Sequence, residues 1–165
     1  CDLGVKVGAD VPYCIVGGTC LSEGIGEVLT ALPSPPEAYV LIAKPEINVS
    51  TKEVYERIDT QGVEIHPDID GMVDAIWRES LQGILDRMDN VLETVTVRKY
   101  PIIESLKVRM RELGALNSLM SGSGPTVYGI FESKEDAEAC AEKLKSITKD
   151  VFVAQPVSES LEIIE

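Results

Sequence analysis

The chain has 165 residues, enough to bury a real core and to form one or two small domains. It is 44% hydrophobic and 26% charged, the balance of a soluble globular protein, and it contains neither an apolar run long enough to span a membrane nor a basic-then-apolar leader. A formal net charge of −13 argues against nucleic acid or an anionic membrane as partner.

Phosphate ligands stay open, because a few backbone N–H groups and one Mg²⁺ can hold a phosphate whatever the total charge. The chain begins at Cys1 rather than Met, which reads as a missing beginning; a mature secreted protein is the alternative. The four cysteines, Cys1, Cys14, Cys20 and Cys140, form no CxxC pair, so a zinc site is not expected. Cys14 and Cys140 stand in apolar stretches and are expected as small buried hydrophobes, which favours a reduced, cytoplasmic protein.

In chain order, the apolar runs at 13–16 and 28–31, broken by Gly17-Gly18 and Gly24-Ile25-Gly26, read as strands and tight turns. Leu32-Pro33-Ser34-Pro35-Pro36 marks a boundary. A buried strand is expected over 38–43, then a short helix capped by Ser50 or Thr51 and running to Asp59. Residues 60–98 read as mostly helix with weak breaks, Val73, Ile76 and Trp77 sharing a helical spacing after Asp70, and Trp77 is expected in the core. The next helix is clearer, with Pro101 at its first position, an apolar face of Ile103, Leu106, Met110 and Leu113, and Gly114 beyond its end. Strands at 116–120 and 126–131 follow, then a helix opened by Ser133 and Asp136 with Ala137, Cys140, Ala141 and Leu144 inward, then a strand at 151–154. From residue 38 this order is an α+β, ferredoxin-like split βαβ arrangement with a helical insertion after its first strand.

Three segments could carry chemistry. In Gly8-Ala9-Asp10-Val11-Pro12, the proline and glycine constrain a turn that presents Asp10. These residues alone favour an Asp that caps a turn over a general base. Between two apolar strands, Ser121-Gly122-Ser123-Gly124-Pro125 has more glycine and serine than a hairpin needs; such a loop can turn successive N–H groups and hydroxyls toward an anion, or be a flexible hairpin. In 45–55, Tyr55 lies one helical turn after Thr51 and could stack on a ligand ring, although a core or surface aromatic is the simpler reading. The lone His66 reads as a loop residue. No GxxxxGK[ST] and no HRD and DFG pair occurs, so P-loop enzymes and protein kinases are excluded, and with no GxGxxG the Rossmann fingerprint is absent too.

Taken together, GADVPYCIVGGTCLSEGIGE (8–27), PEINVST (45–51), NVLE (90–93) and MSGSGPTVYGIF (120–131) resemble, in order, successive blocks of the diphosphocytidyl-methylerythritol kinase family of the GHMP superfamily. The GIGE and INVST segments favour this family over homoserine, mevalonate or galactose kinases. The resemblance implies the end of a domain like that of ribosomal protein S5 over 1–36 and a ferredoxin-like GHMP kinase C-terminal domain over 37–165. It implies ATP-dependent, Mg²⁺-assisted phosphorylation of the 2-hydroxyl of 4-diphosphocytidyl-2-C-methyl-D-erythritol, in non-mevalonate isoprenoid biosynthesis. Asp10 would be the catalytic base, Thr51 and Tyr55 would meet the cytidine substrate, and Gly122, Ser123 and Gly124 would form the phosphate-side loop; no metal ligand is assigned. The catalytic lysine and the ATP phosphate loop expected of the family have no counterpart in these 165 residues, so the chain alone is expected to be inactive. NVLE departs from the family's usual NDLE at Val91. Alternatives are another GHMP small-molecule kinase or a non-catalytic ferredoxin-like binding module. A homodimer is left open.

Overall fold

The computed structural model describes residues 3–63 and 66–158. Cys1 lies outside them. The chain opens with a six-residue helix, α1 (Val11–Val16), where the apolar run had suggested a strand. Pro12 decides this: in the first turn its fixed φ is already helical and its missing N–H costs nothing. Gly17, at φ 69°, ends the helix. So short a helix buries only Pro12, which leaves Cys14 exposed rather than in a core. An antiparallel hairpin follows, β1 (Thr19–Glu23) and β2 (Val28–Leu32).

The rest is a four-stranded antiparallel sheet with helices. In chain order its elements are β3 (Tyr39–Lys44), α2 (Thr51–Gln61), α3 (Ile69–Trp77), α4 (Leu81–Leu85), α5 (Glu93–Lys99), α6 (Ile102–Glu112), β4 (Asn117–Met120), β5 (Val127–Phe131), α7 (Lys134–Leu144) and β6 (Asp150–Ala154). The strands lie in the order β4-β5-β3-β6, every neighbour antiparallel. β5 therefore sits between β3 and β4, and β3 between β5 and β6: two interleaved split βαβ units, the ferredoxin-like arrangement expected from residue 38 onward. Helices α2 to α5 are the insertion between β3 and α6.

The helix starts are built as their residue types suggest. Ser50 accepts the Glu53 N–H at 3.3 Å, and Ser133 accepts that of Asp136 at 3.1 Å. Pro101 stands one position earlier than expected, at the cap of α6 rather than inside it. One face of the sheet carries the core. Leu41, Ala43, Met120, Val127 and Phe131 meet Ile103, Leu106 and Met110 of α6 and Ala137, Cys140, Ala141 and Leu144 of α7. Fully burying each large apolar side chain here stabilises by roughly 1.5–3 kcal/mol. On the other face Val40, Ile42, Tyr128 and Ile130 are half-buried, and Phe152 on the edge strand is exposed.

Trp77 is not in the core. α3 buries Ala75 and Ile76 against α4 and β2, and the indole stays 62% exposed because no further layer covers that side. His66 is an exposed loop residue, as expected.

Candidate active site

The glycine-rich loop between β4 and β5 is the best-defined polar feature of the chain. The Ser121 N–H donates to the Thr126 carbonyl at 2.8 Å and the Gly124 N–H to that of Ser121 at 2.9 Å, closing the turn. Gly122 and Gly124 have φ of +54° and +86°, the left-handed region that side chains avoid. At Gly124 a Cβ would also lie 2.7 Å from the Met120 sulfur, and Met120 is buried.

Three side chains at a spacing of three hold this loop from outside. Asn90 Nδ2 donates to the carbonyls of Met120 and Gly122, both at 2.8 Å. Glu93 Oε1 accepts the Met120 N–H at 2.7 Å. Thr96 Oγ1 donates to the Ser123 carbonyl at 3.2 Å. The three-residue spacing puts Glu93 and Thr96 on one face of α5, and Asn90 stands in the loop that leads into it. On another side of α5, Val95 packs with Val54 and Ile58 of α2, flanked by Val49, Val91 and Leu92. Val91, the departure from the family block, thus belongs to this apolar contact rather than to the loop. Lys99 adds two bonds of 2.7 Å to Glu53, which hold the Glu53 carboxyl below its usual range.

This packing carries the N-terminus of α2 to the loop, where Thr51 Oγ1 and Ser123 Oγ lie 2.8 Å apart. Tyr55 follows one turn later, with 53% of its surface exposed. Thr51, Tyr55 and the loop residues 122–124 are therefore brought to one region. Asp10 sits elsewhere in the chain's architecture, at the cap of α1, exposed, its side chain making no capping bond. The simpler reading of Asp10 as a cap thus fails in its detail. The turn of the hairpin lies against the preceding residue, where a Cβ on Gly26 would lie 3.2 Å from the Ala9 carbonyl, and within that turn Glu27 folds back to accept the Ile25 N–H at 2.7 Å. No hydrogen bond among the described residues links Asp10 to the glycine-rich loop. The hairpin meets the remainder through β2 on α3 and through Gly18 close to Ser158.

Beneath the loop, Lys107 is nearly buried and paired with Glu93 and with Glu104, the latter at 3.1 Å. Arg111 extends the network to Glu104 at 3.4 Å and to the Ser118 hydroxyl at 3.0 Å. Burial pushes the Glu104 carboxyl up, but Lys107 and Arg111 outweigh it and hold it below the usual range. Burial and the Glu93 charge both push the Tyr128 phenol up. Sequence reasoning missed Asn90, Glu93, Thr96 and Lys107 as supports. The signals existed: polar residues at 90, 93 and 96, and a lysine at 107 within the apolar spacing 103, 106, 110.

Residues 63–149 match the model of the GHMP kinases C-terminal family. That match covers more than half of the chain, and the chain belongs to the GHMP kinases. Among curated relatives, a protein of Lachnospira eligens named 4-diphosphocytidyl-2-C-methyl-D-erythritol kinase is 54% identical over 143 residues, covering 87% of this chain and 50% of the relative. A protein of the same name from Caldicellulosiruptor saccharolyticus is 49% identical over 152 residues, covering 92% of this chain and 52% of the relative. Of solved structures, a 4-(cytidine 5′-diphospho)-2C-methyl-D-erythritol kinase superposes with a TM-score of 0.77 at 28% identity, over 94% of this chain and 57% of that one. A homoserine kinase from Cytophaga hutchinsonii gives 0.73 at 23% identity, over 91% and 52%, a likeness of fold alone. The chain spans about half the length of the curated relatives it matches.

Proposed function

We propose that the protein carrying this chain transfers the γ-phosphoryl group of ATP to the 2-hydroxyl of 4-diphosphocytidyl-2-C-methyl-D-erythritol, in the non-mevalonate route to isoprenoids. The similarity to relatives of that name over most of the chain is the observation that carries the reading. Phosphoryl transfer needs in-line positioning, neutralisation of phosphate charge and an acceptor for the hydroxyl proton. In this reading Asp10 orients the substrate hydroxyl and takes its proton, a role that suits an exposed carboxylate free of capping bonds. Tyr55 offers its open ring to the cytosine, with Thr51 beside it. The loop of Gly122, Ser123 and Gly124 faces the phosphates, with the backbone N–H groups of Gly122 and Ser123 as its open donors. Mg²⁺ would enter with ATP and neutralise phosphate charge, and we assign no residue of this chain to it. The described cysteines are free, which fits a reducing compartment, and we assign the protein to the cytoplasm.

The test is Asp10→Asn in the longest natural polypeptide that carries this sequence. Turnover of the cytidine substrate should fall by about 10²- to 10⁴-fold. The melting temperature should hold, because the carboxylate supports no bond of the fold. A rate within threefold of the parent would rule Asp10 out as the base. Turnover of homoserine, mevalonate or galactose in place of the cytidine substrate would overturn the substrate assignment.

A further inference from the structure

The Asn90 amide is fixed in orientation. Its Oδ1 accepts the Leu92 N–H at 3.0 Å, and since a backbone N–H can only donate, the oxygen must face it. The two hydrogens of Nδ2 are thereby committed to the carbonyls of Met120 and Gly122, one at the entrance of the loop and one at its crown. Among the described peptides only Gly124–Pro125 is cis. In the trans, planar Gly122–Ser123 peptide, turning the carbonyl toward Asn90 turns the Ser123 N–H away from it. The N–H groups of Gly122 and Ser123 have no partner among the described residues, whereas those of Ser121 and Gly124 are used within the loop. The loop thus has two successive open donors. It also has a reason to need a clamp: Gly122 and Gly124 flank Ser123, and glycine lets a neighbouring peptide rotate at little steric cost.

We propose that Asn90 is a positioning residue, whose amide holds the Gly122–Ser123 peptide so that the Ser123 N–H is presented to a phosphate oxygen of the bound ligand. This rests on the kinase reading above. The Thr96 hydroxyl holds the next carbonyl, that of Ser123, so the two consecutive peptides around Ser123 are pinned by side chains of α5 and of the loop that leads into it. Removing the Asn90 donors releases the first of them while the helices around it remain packed through Val54, Ile58 and Val95.

The experiment uses Asn90→Asp and Asn90→Ser in the longest natural polypeptide that carries this sequence, with ATP and the cytidine substrate varied in turn. Aspartate keeps the shape and loses both donors; serine loses them without adding charge. Both variants should melt cooperatively within a few degrees of the parent. In both, kcat should fall roughly 10- to 100-fold with each KM within threefold, the signature of a misplaced group rather than a lost binding contact. A kcat within threefold in either variant overturns the inference while the kinase reading stands. A loss confined to Asn90→Asp assigns the effect to charge and overturns it as well. Loss of cooperative melting in both would make Asn90 purely structural. A parent protein that does not phosphorylate the cytidine substrate overturns the kinase reading and this inference with it.

Discussion

Lys107→Met tests the network under the loop. The Lys107 side chain is 9% exposed and that of Glu93 17% exposed, so the pair lies largely out of water. Methionine keeps most of the unbranched apolar stem of lysine, one atom shorter, and removes the charge. Glu93 would then keep only its bond from the Met120 N–H, as a mostly buried carboxylate without a counter-ion. Breaking a buried pair costs about 3–5 kcal/mol, because it leaves an uncompensated charge. Glu104 softens that figure, since its side chain is 43% exposed and can regain water. A loss of about 2–4 kcal/mol is expected, measured as a shift of the urea midpoint with the slope unchanged. The double variant Glu93→Gln/Lys107→Met should be more stable than Lys107→Met alone by about 1–2 kcal/mol, since glutamine can still accept the Met120 N–H and strands no charge. In Glu93→Gln the Tyr128 phenol should also titrate lower than in the parent, toward its usual range, because one of the two causes raising it is gone. Lys107→Met within 0.5 kcal/mol (about the uncertainty of such a measurement) would refute the reasoning. So would a double variant no more stable than the single one.

Other outcomes follow from particular sites. Gly124→Ala should destabilise by about 1–3 kcal/mol in chemical denaturation, because alanine at φ +86° is strained and its methyl would press on the buried Met120 sulfur. Parental stability in that variant would mean the loop relaxes freely. Cys140 should resist an aromatic disulfide reagent at pH 8 in the folded protein, since burial pushes its thiol up to about 11, and it should react once the chain is unfolded. Cys14 is exposed and should be modified in the native protein. Equal labelling rates at the two would contradict the burial of Cys140.

Much of the sheet and its helices was legible in the chain. The apolar spacing at 103, 106 and 110, and that at 137, 140, 141 and 144, named the residues that cover the sheet. Ser50 and Ser133 marked their helix starts. Such local signals survive because a cap or an amphipathic face depends on residues within a turn or two of each other. Where a layer is thin, periodicity misled. Trp77 and Cys14 stand in apolar patterns, yet each lies on a short helix with nothing packed over that side, and both are exposed. The run at 13–16 has the composition of a strand, but Pro12 in the first turn makes it a helix.

The sequence by itself determined the split βαβ order, the two helices of the core and the residue types of the loop at 121–125. These follow from spacing, from proline and glycine geometry, and from capping chemistry, all of them short-range. Only the tertiary structure decided what holds that loop. Asn90, Glu93 and Thr96 reach Met120, Gly122 and Ser123 across some thirty residues of chain, and Thr51 reaches Ser123 across 72. A hydrogen bond specifies a distance and a direction between two groups, and those arise only when α2 and α5 pack through Val54, Ile58 and Val95. The same reason separates Asp10 from the rest: its turn is written in Gly8 to Pro12, but which groups it faces is a matter of how the hairpin sits on α3.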